Sequence, residues 1–130
     1  MATIDVPLKR GLKIGADVLR DAVLREVSAG DIIEAQEESE KLVYAVENGK
    51  LVPILVASPT LVGIHVLRRQ IVRIGNVDGP IDLVLIKKLK PVDLDLLQKK
   101  ADELDGAAEG EAASREVAQR GRDDGNGGGA

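Results

Sequence analysis

Histidine and cysteine are the side chains that most often carry nucleophilic, acid–base or metal chemistry near neutral pH. This chain of 130 residues has one His, His65, and no Cys. A structural zinc site needs four such ligands, and a serine nucleophile would depend on this single imidazole. No Asp or Glu lies within four positions of His65. We therefore predict a structural histidine, at the surface or half-buried, and assign no catalytic, cofactor-binding or metal-binding residue.

Two charged clusters could bind ions or partners instead. Arg68, Arg69 and Arg73 could bind phosphate or an acidic surface, and the acidic run Glu34–Glu40 could bind a divalent cation. The acidic run lacks the alternating ligands and the sharp glycine turn of a cation-binding loop, so it is interpreted as a solvated helix face. The arginines are interpreted in the same way, because the polar face of an amphipathic helix shows this pattern without any ligand. They could also pair with each other, within one molecule or between copies. The glycine-rich run 125–129 lacks the Lys-Ser/Thr and the helix that follow a phosphate loop.

The overall composition argues for a binding protein. The chain has 18 basic and 22 acidic residues, one Tyr, no Phe and no Trp. Nucleic-acid binding by clustered cations or stacked aromatics is therefore not expected. The longest apolar stretches, such as Leu51–Ala57, are far shorter than the roughly 20 residues of a membrane span, and no signal peptide precedes them. We expect a non-enzymatic protein of a bacterial cytoplasm without nucleic-acid or membrane partners.

The composition changes near Asp105 and divides the chain into two parts. Residues 106–130 hold 7 of the 14 glycines, and their one large aliphatic residue is Val117. Such a segment buries too little apolar surface to offset the entropy of ordering, although its Ala, Glu and Arg content allows some helix at 112–119. The sequence predicts an ordered domain over 1–105 and a disordered tail over 106–130.

The first half of the domain shows a strand pattern followed by a helix pattern. Residues 3–8 alternate, and Pro7 makes them either an edge strand or a short strand. Residues 18–26 are interpreted as the returning strand of an N-terminal hairpin. Ser28 begins a capping box, so a helix is predicted over 29–45. Its apolar face would contain Ile32, Ala35, Ser39, Leu42 and Val46, opposite an acidic face of Glu34, Glu37, Glu38 and Glu40.

The second half is predicted to be mostly helical. A turn at 47–50 leads into a short strand over 51–56, and Ser58-Pro59 begins a helix whose apolar stripe continues to Ile74. A helix is favoured over a strand for 81–89, and a last helix follows Lys90-Pro91 to about Leu104. The expected fold is a small α+β domain with an N-terminal β-hairpin, three to four helices and the disordered C-terminal tail.

Several passages resemble the Mu-like tail assembly chaperones of tailed bacteriophages. The first, LREVSAGD at 24–31, is similar to the family's passage from the last strand of the hairpin into the first helix. The others follow in the family's order and spacing: ASPTLVG at 57–63, LRRQIVRIG at 67–75, GPI at 79–81 and LKPVDLDLL at 89–97. The resemblance spans nearly all of residues 1–105.

The resemblance implies a function in tail morphogenesis. Members of the family bind the tape-measure protein in the host cytoplasm, prevent its apolar helices from aggregating, help recruit tail tube subunits, and are absent from the finished virion. Many of them are made in two forms, the longer by ribosomal frameshifting, and a slippery site could encode Gly127–Gly129. Many copies along one tape measure would favour self-association as a homo-oligomer.

Two other classes remain open from the sequence. A structural tail or baseplate subunit would share this size but would stay in purified particles. A small antitoxin-like regulator would combine a folded domain with a tail that folds on its partner. Against the regulator, the tail has no apolar stripe and no helix carries a base-reading set of Arg, Asn and Gln.

Overall fold

The computed structural model describes residues 2–124, and of residues 108–124 it describes the backbone alone. Their elements, in chain order, are β1 (Thr3–Ile14), β2 (Asp17–Arg25), α1 (Ala29–Ser39), β3 (Glu40–Glu47), β4 (Lys50–Ala57), α2 (Pro59–Gln70), β5 (Ile71–Ile74), β6 (Val77–Asp78), α3 (Leu83–Lys88) and α4 (Pro91–Asp124). The predicted α+β class with an N-terminal hairpin and several helices is confirmed.

The strands form two separate antiparallel sheets. One sheet has four strands in the order β1-β2-β5-β6, and the other consists of β3 and β4. Pro7 lies in β1 at the edge of the first sheet, as predicted, and pairs with Asp21. The pairing of β1 with β2 is interrupted by a bulge between Pro7 and Leu12.

The core lies between the four-stranded sheet and helices α2, α3 and α4. Buried aliphatic side chains of β1 and β2 alternate along each strand, β5 contributes Ile71 and Ile74, and the helices cover the core with residues spaced three and four apart. Its buried members are Val6, Leu8, Leu12, Ala22, Leu24, Leu67, Ile71, Ile74, Ile81, Ile86, Leu89, Leu97, Ala101 and Leu104. No residue of β3 or β4 belongs to this cluster.

Two predicted helices are wrong in their second parts. The helix predicted over 29–45 ends at Ser39, because Glu40 adopts extended backbone angles and begins β3. The helix predicted to reach Ile74 ends at Gln70, and residues 71–74 form β5 between β2 and β6. In both places the apolar spacing of the helix continues along the chain. Pairing with another strand, β4 for residues 40–47 and β2 for residues 71–74, replaces the helical hydrogen bonds.

The predicted start of the last helix and the helix over 81–89 agree with α4 and α3. The backbone of α4 continues past the predicted end near Leu104 to Asp124 and includes 112–119. The division at 105 and the disorder expected for 106–130 stay predictions, because the side chains of 108–124 and all of 125–130 lie outside the described residues.

Candidate binding surface

The β3–β4 hairpin extends from the ends of two packed helices. α1 passes directly into β3 at Glu40, and β4 ends at Ala57, next to Ser58, the N-cap of α2. The strands are joined by a two-residue turn in which Asn48 has a φ of 53° and Gly49 a φ of 75°. Left-handed angles at both positions define a type I′ turn, whose twist matches that of the strands and for which Asn-Gly is the preferred pair. The turn therefore fixes a register in which Glu47 faces Lys50 and Glu40 faces Ala57.

One face of the hairpin is apolar and exposed. Cross-strand partners point to the same side of a sheet, so the pairs Leu42 with Leu55 and Val46 with Leu51 share this face, together with Tyr44. The exposed fractions of these five side chains lie between 57% for Leu42 and 74% for Val46. Monomeric proteins seldom expose a contiguous cluster of large apolar side chains, and such clusters mark interaction sites. We call this set of five residues the hairpin face.

The opposite side of the hairpin is also apolar, but it is more covered. Val43, Ile54 and Val56 are 37% to 41% exposed, and Ala45 and Val52 are partly buried. Charged residues are confined to the two ends of β3 and to Lys50 beside the turn. A two-stranded sheet with apolar residues on both sides cannot bury them by itself, so it depends on a partner for burial.

Ion pairs between α1 and α2 hold the two helices that support the hairpin. Glu38 pairs with Arg68 at 3.1 Å and with Arg69, and Glu34 pairs with the Nε of Arg69 at 3.1 Å. The guanidinium groups of Arg68 and Arg69 are largely buried, and the Nε of Arg68 also donates to the carbonyl oxygen of Ile81 at 2.5 Å. The favoured interpretation of the basic cluster as a solvated helix face is therefore wrong for Arg68 and Arg69, and the alternative, pairing with the acidic face within one molecule, is confirmed for these four residues.

His65 lies within this ion-pair cluster and is buried rather than exposed. Its Nδ1 lies 2.9 Å from Nη1 of Arg68 and 3.1 Å from Oε2 of Glu38. Burial, and then the charge of Arg68, hold the pKa of His65 below its ordinary value of 6.5. A pKa below 6.5 favours the neutral imidazole at pH 7, and in that form Nδ1 accepts from Arg68, since a guanidinium group can only donate.

A second ion pair fixes the beginning of α1. Arg25, at the end of β2, donates to both carboxylate oxygens of Asp31 at 2.7 and 2.8 Å. Asp31 also accepts from the backbone N–H of Ser28 and donates its own N–H to the Ser28 hydroxyl, which completes the predicted capping box. The hydrogen bonds from Arg25 hold the pKa of Asp31 below its ordinary value of 3.8. The LREVSAGD passage is thus a strand-to-helix connection rather than a chemical site.

Cavities also lie on the surface of the domain. An apolar groove of about 230 Å³ lies between α2, α3 and α4 and is lined by Leu61, Ile64, Leu83, Ile86, Lys87, Leu89, Pro91, Leu94 and Asp95. A cleft of about 200 Å³ beside the β1 bulge is lined by Arg10, Gly11, Lys13, Val18, Lys88 and Lys90. The groove could take an apolar side chain of a partner helix.

Other residues singled out in the sequence lie apart from the ion-pair cluster. Arg73 lies in β5 and donates to the carbonyl oxygen of Gly75 at 3.4 Å, whereas Glu37 and Glu40 are exposed. Among the side chains that the structure describes, at 2–107, no group of three or more His, Cys, Asp or Glu could hold a metal ion. Over the described backbone, no helix is long and apolar enough to cross a membrane. The glycines at 125–129 lie outside the described residues.

Sequence reasoning missed the hairpin face, since it placed Leu42 and Val46 on the buried side of a helix. The signal that could have found it is the Asn48-Gly49 dipeptide between the apolar runs 42–46 and 51–57, the strongest short-range indication of a hairpin.

Comparison with known proteins relates the chain to phage tail assembly. The sequence profile of the family described as tail assembly protein gp41 matches residues 8–122. The probable tail assembly protein gp41 of Escherichia phage Mu is 40% identical over 104 residues, which cover 77% of this chain and 69% of that protein. The Mu-like prophage FluMu protein gp41 of Haemophilus influenzae is 32% identical over 108 residues, which cover 83% of each chain.

A second phage Mu protein, the probable tail assembly protein FS-gp41, matches with the same 40% identity over 104 residues. The matched part covers 53% of that protein, so the chain spans about half of its length. No solved structure gives a significant match.

Proposed function

This chain belongs to the tail assembly protein gp41 family of Mu-like phages, and from that premise we propose that it is a non-enzymatic chaperone that binds the tape-measure protein. Membership assigns the chain a role in phage tail assembly. The observation that carries the finer proposal is the hairpin face, whose five large side chains are 57% to 74% exposed. An exposed apolar face on a chain of net charge −4 can cover apolar segments of another protein and keep the complex soluble.

The occupant of the hairpin face is an apolar helix of the tape-measure protein. The hairpin face is aliphatic apart from Tyr44, and it is bordered by charges only at the ends of the strands. A helix can lay its apolar stripe across such a surface without leaving buried polar groups unpaired. This complex would form in the host cytoplasm during assembly and would be absent from the mature virion.

Co-expression tests the proposal directly. The tape-measure protein of the same phage is produced alone, with this chain, and with the variant Leu42→Ser/Leu55→Ser, which makes a cross-strand pair of the hairpin face polar. We expect the native chain to raise the soluble fraction of the tape-measure protein and to co-purify with it, and the double variant to lose both effects.

The matched control is Val84→Ser, at a residue of α3 that is 60% exposed and does not line the apolar groove. We expect this control to behave like the native chain. A tape-measure protein that is equally soluble with and without the native chain would overturn the proposal. If the double variant still binds the tape-measure protein, the binding surface is not the hairpin face, and the apolar groove is the next surface to test.

We infer that recruitment of tail tube subunits depends on a longer form of this chain. Support comes from phage Mu, where two proteins of different length match the same number of residues of this chain with the same identity. To detect this form, the native gene is expressed with its downstream reading frame and an N-terminal tag. The intact masses of all proteins that the tag retains are then measured. A minor, heavier product with this N-terminus is expected, and its absence would remove the longer form from the proposal.

A structural tail or baseplate subunit is the alternative reading of a role in tail assembly. Mass spectrometry of purified particles separates the two, since a structural subunit would be found in them at stoichiometric amounts and a chaperone would not.

A further inference from the structure

The outer edge of β3 carries backbone groups that face away from β4. In a hairpin closed by a two-residue type I′ turn, the residues that flank the turn, Glu47 and Lys50, form a hydrogen-bonded pair. Hydrogen-bonded and non-hydrogen-bonded pairs then alternate along the ladder, so residues 42, 44 and 46 direct their N–H and C=O groups outward. Over residues 2–124, no third strand pairs with this edge.

The outer edge of β4 is different because of Pro53. Pro53 lies opposite Tyr44, at a position where the backbone N–H would face outward, and proline has no N–H. A proline in the middle of an edge strand is a common device against pairing with another chain. β3 has no such residue, so the hairpin has one blocked edge and one edge that can accept a full antiparallel strand.

The sequence of β3 is complementary to itself in one register. We propose that β3 pairs antiparallel with β3 of a second copy, with Tyr44 opposite the partner's Tyr44. In this register Lys41 lies opposite the partner's Glu47, and the two-fold symmetry repeats this ion pair at the other end. Between them, Leu42 faces the partner's Val46 and Val43 faces the partner's Ala45.

Neighbouring registers lose this complementarity. A shift of two residues places Lys41 opposite the partner's Ala45 or Gly49, so both ion pairs are lost. A shift of one residue places Glu40 opposite the partner's Glu47 and sets outward-facing backbone groups against inward-facing ones. The charges at the two ends of β3 therefore select the register centred on Tyr44.

The paired hairpins form a four-stranded sheet with its apolar side continuous across both copies. A two-fold axis perpendicular to the sheet keeps the hairpin face of each copy on the same side. Two strands alone are only marginally stable in water, whereas four strands with an apolar face can be stable on their own. The inference concerns the edge of the hairpin, so it stands independently of the client proposed for its face.

Charge reversal tests the register on the full chain by analytical ultracentrifugation. The native chain is expected to give a species of twice 13.8 kDa with a concentration-dependent dissociation. Lys41→Glu sets two carboxylates against each other at both ends and is expected to weaken the dimer about tenfold or more, and Glu47→Lys is expected to do the same. An equimolar mixture of the two variants restores opposite charges at both ends, so it should associate as the native chain does.

A cysteine substitution provides an independent measurement, because the chain has no Cys of its own. Tyr44→Cys would place two thiols on directly opposed residues, with Cα atoms about 5.5 Å apart, within the range of a disulfide. The matched control is Leu55→Cys, since Leu55 and Tyr44 are both 65% exposed and lie on the same face. Mild oxidation should cross-link the first variant into dimers at least about tenfold faster than the second.

A native chain that is monomeric over a wide concentration range would overturn the inference, and so would equal cross-linking of both variants or a mixture that fails to associate. Client binding is scored separately: Lys41→Glu leaves the hairpin face unchanged and should still solubilise the tape-measure protein. Loss of the dimer with retained client binding therefore distinguishes failure of one proposal from failure of the other.

Discussion

The carboxylate of Asp93 is fully buried and accepts hydrogen bonds from backbone N–H groups of β1. Its oxygens accept from Lys9, Arg10 and Gly11 at 2.7, 2.9 and 2.8 Å. These three donors lie in the bulge where β1 does not pair with β2, so Asp93 supplies the acceptors that a neighbouring strand would otherwise provide. The side chain thus joins the first turn of α4 to the bulge of β1, a contact across more than 80 positions of the sequence.

Asp93→Asn is expected to destabilise the domain by about 2–4 kcal/mol. The amide has one acceptor oxygen, and its NH₂ group would face a backbone donor, so a buried N–H is left unpaired. Urea unfolding followed by circular dichroism measures the loss. The control is Asp95→Asn, two positions along the same helix at an exposed side chain, where a change below about 0.5 kcal/mol is expected. Equal effects of the two variants would show that the bulge does not depend on this carboxylate.

His65 gives the domain a pH dependence just below neutrality. Its folded-state pKa is lowered from 6.5 by burial and by Arg68, so the unfolded chain binds the proton more readily. Its contribution to stability is therefore complete above about pH 6.5 and is lost as the pH falls toward the folded pKa. The groups that face the imidazole are Arg68 and Glu38, and Arg69 lies beside them with its Nη1 donating to the His65 carbonyl oxygen.

His65→Gln should flatten this part of the stability profile, because a glutamine oxygen can accept from Arg68 but does not titrate. The check is the urea midpoint of both proteins at about pH 7.5 and about pH 5.5, with the difference between the two pH values compared. Asp31 does not interfere, since its pKa is held below 3.8 and its contribution is lost only as the pH falls below that value. Identical slopes for the two proteins would contradict the assignment.

At the scale of elements, local signals predicted the parts of the fold that depend on neighbours in sequence. The alternation in β1, the Ser28 and Ser58 caps and the proline at the first position of α2 all act over a few residues, and each is present in the structure. The end of α1 was not predicted, because Leu42 and Val46 continue its apolar spacing while the β-branched residues and the Asn48-Gly49 turn favour a hairpin.

β5 could not be predicted from local sequence for a different reason. Ile71 and Ile74 are three residues apart, which fits the stripe of α2 but not the two-residue period of a regular strand. Both are buried in β5 because its pairing with β2, far away in sequence, shifts register between Val23 and Leu24. Gly79 shows the same dependence: a Cβ atom on it would lie 1.9 Å from the carbonyl oxygen of Ile71, and its N–H donates to Val72 at 2.8 Å. This glycine permits the close approach of two backbones that the sequence alone does not place together.

At the scale of the whole molecule, the structured part divides into a packed body and a peripheral hairpin. The core cluster draws on the four-stranded sheet, α2, α3 and α4, and includes no residue between 40 and 57. Asp105 ties α4 to the rest of the body by accepting from the Val27 N–H at 2.9 Å and from Gln70 at 3.2 Å. The core of the body and the binding surface that we propose thus rest on different residues, so the hairpin can expose aliphatic side chains without loss of the core.

Replacing residues 41–56 with a short Gly/Ser loop tests this division. Glu40 and Ala57 are direct cross-strand partners, so a tight loop can join them without moving α1 or α2. We expect cooperative unfolding with a free energy within about 1 kcal/mol of the native value, since loop-closure costs change slowly with length and no core contact is removed.

The positive control is Ile71→Ala, which removes a fully buried side chain and should cost about 2–5 kcal/mol in the same urea titration. The shortened chain should also be monomeric and fail to solubilise the tape-measure protein. Ile71→Ala should still form the dimer and still solubilise the tape-measure protein under conditions in which it is folded. Loss of cooperative unfolding in the shortened chain would mean that the hairpin is part of the folding unit. A folded, shortened chain that still binds its client would instead move the binding surface to the groove between α2, α3 and α4, since that is the apolar surface that the deletion leaves intact.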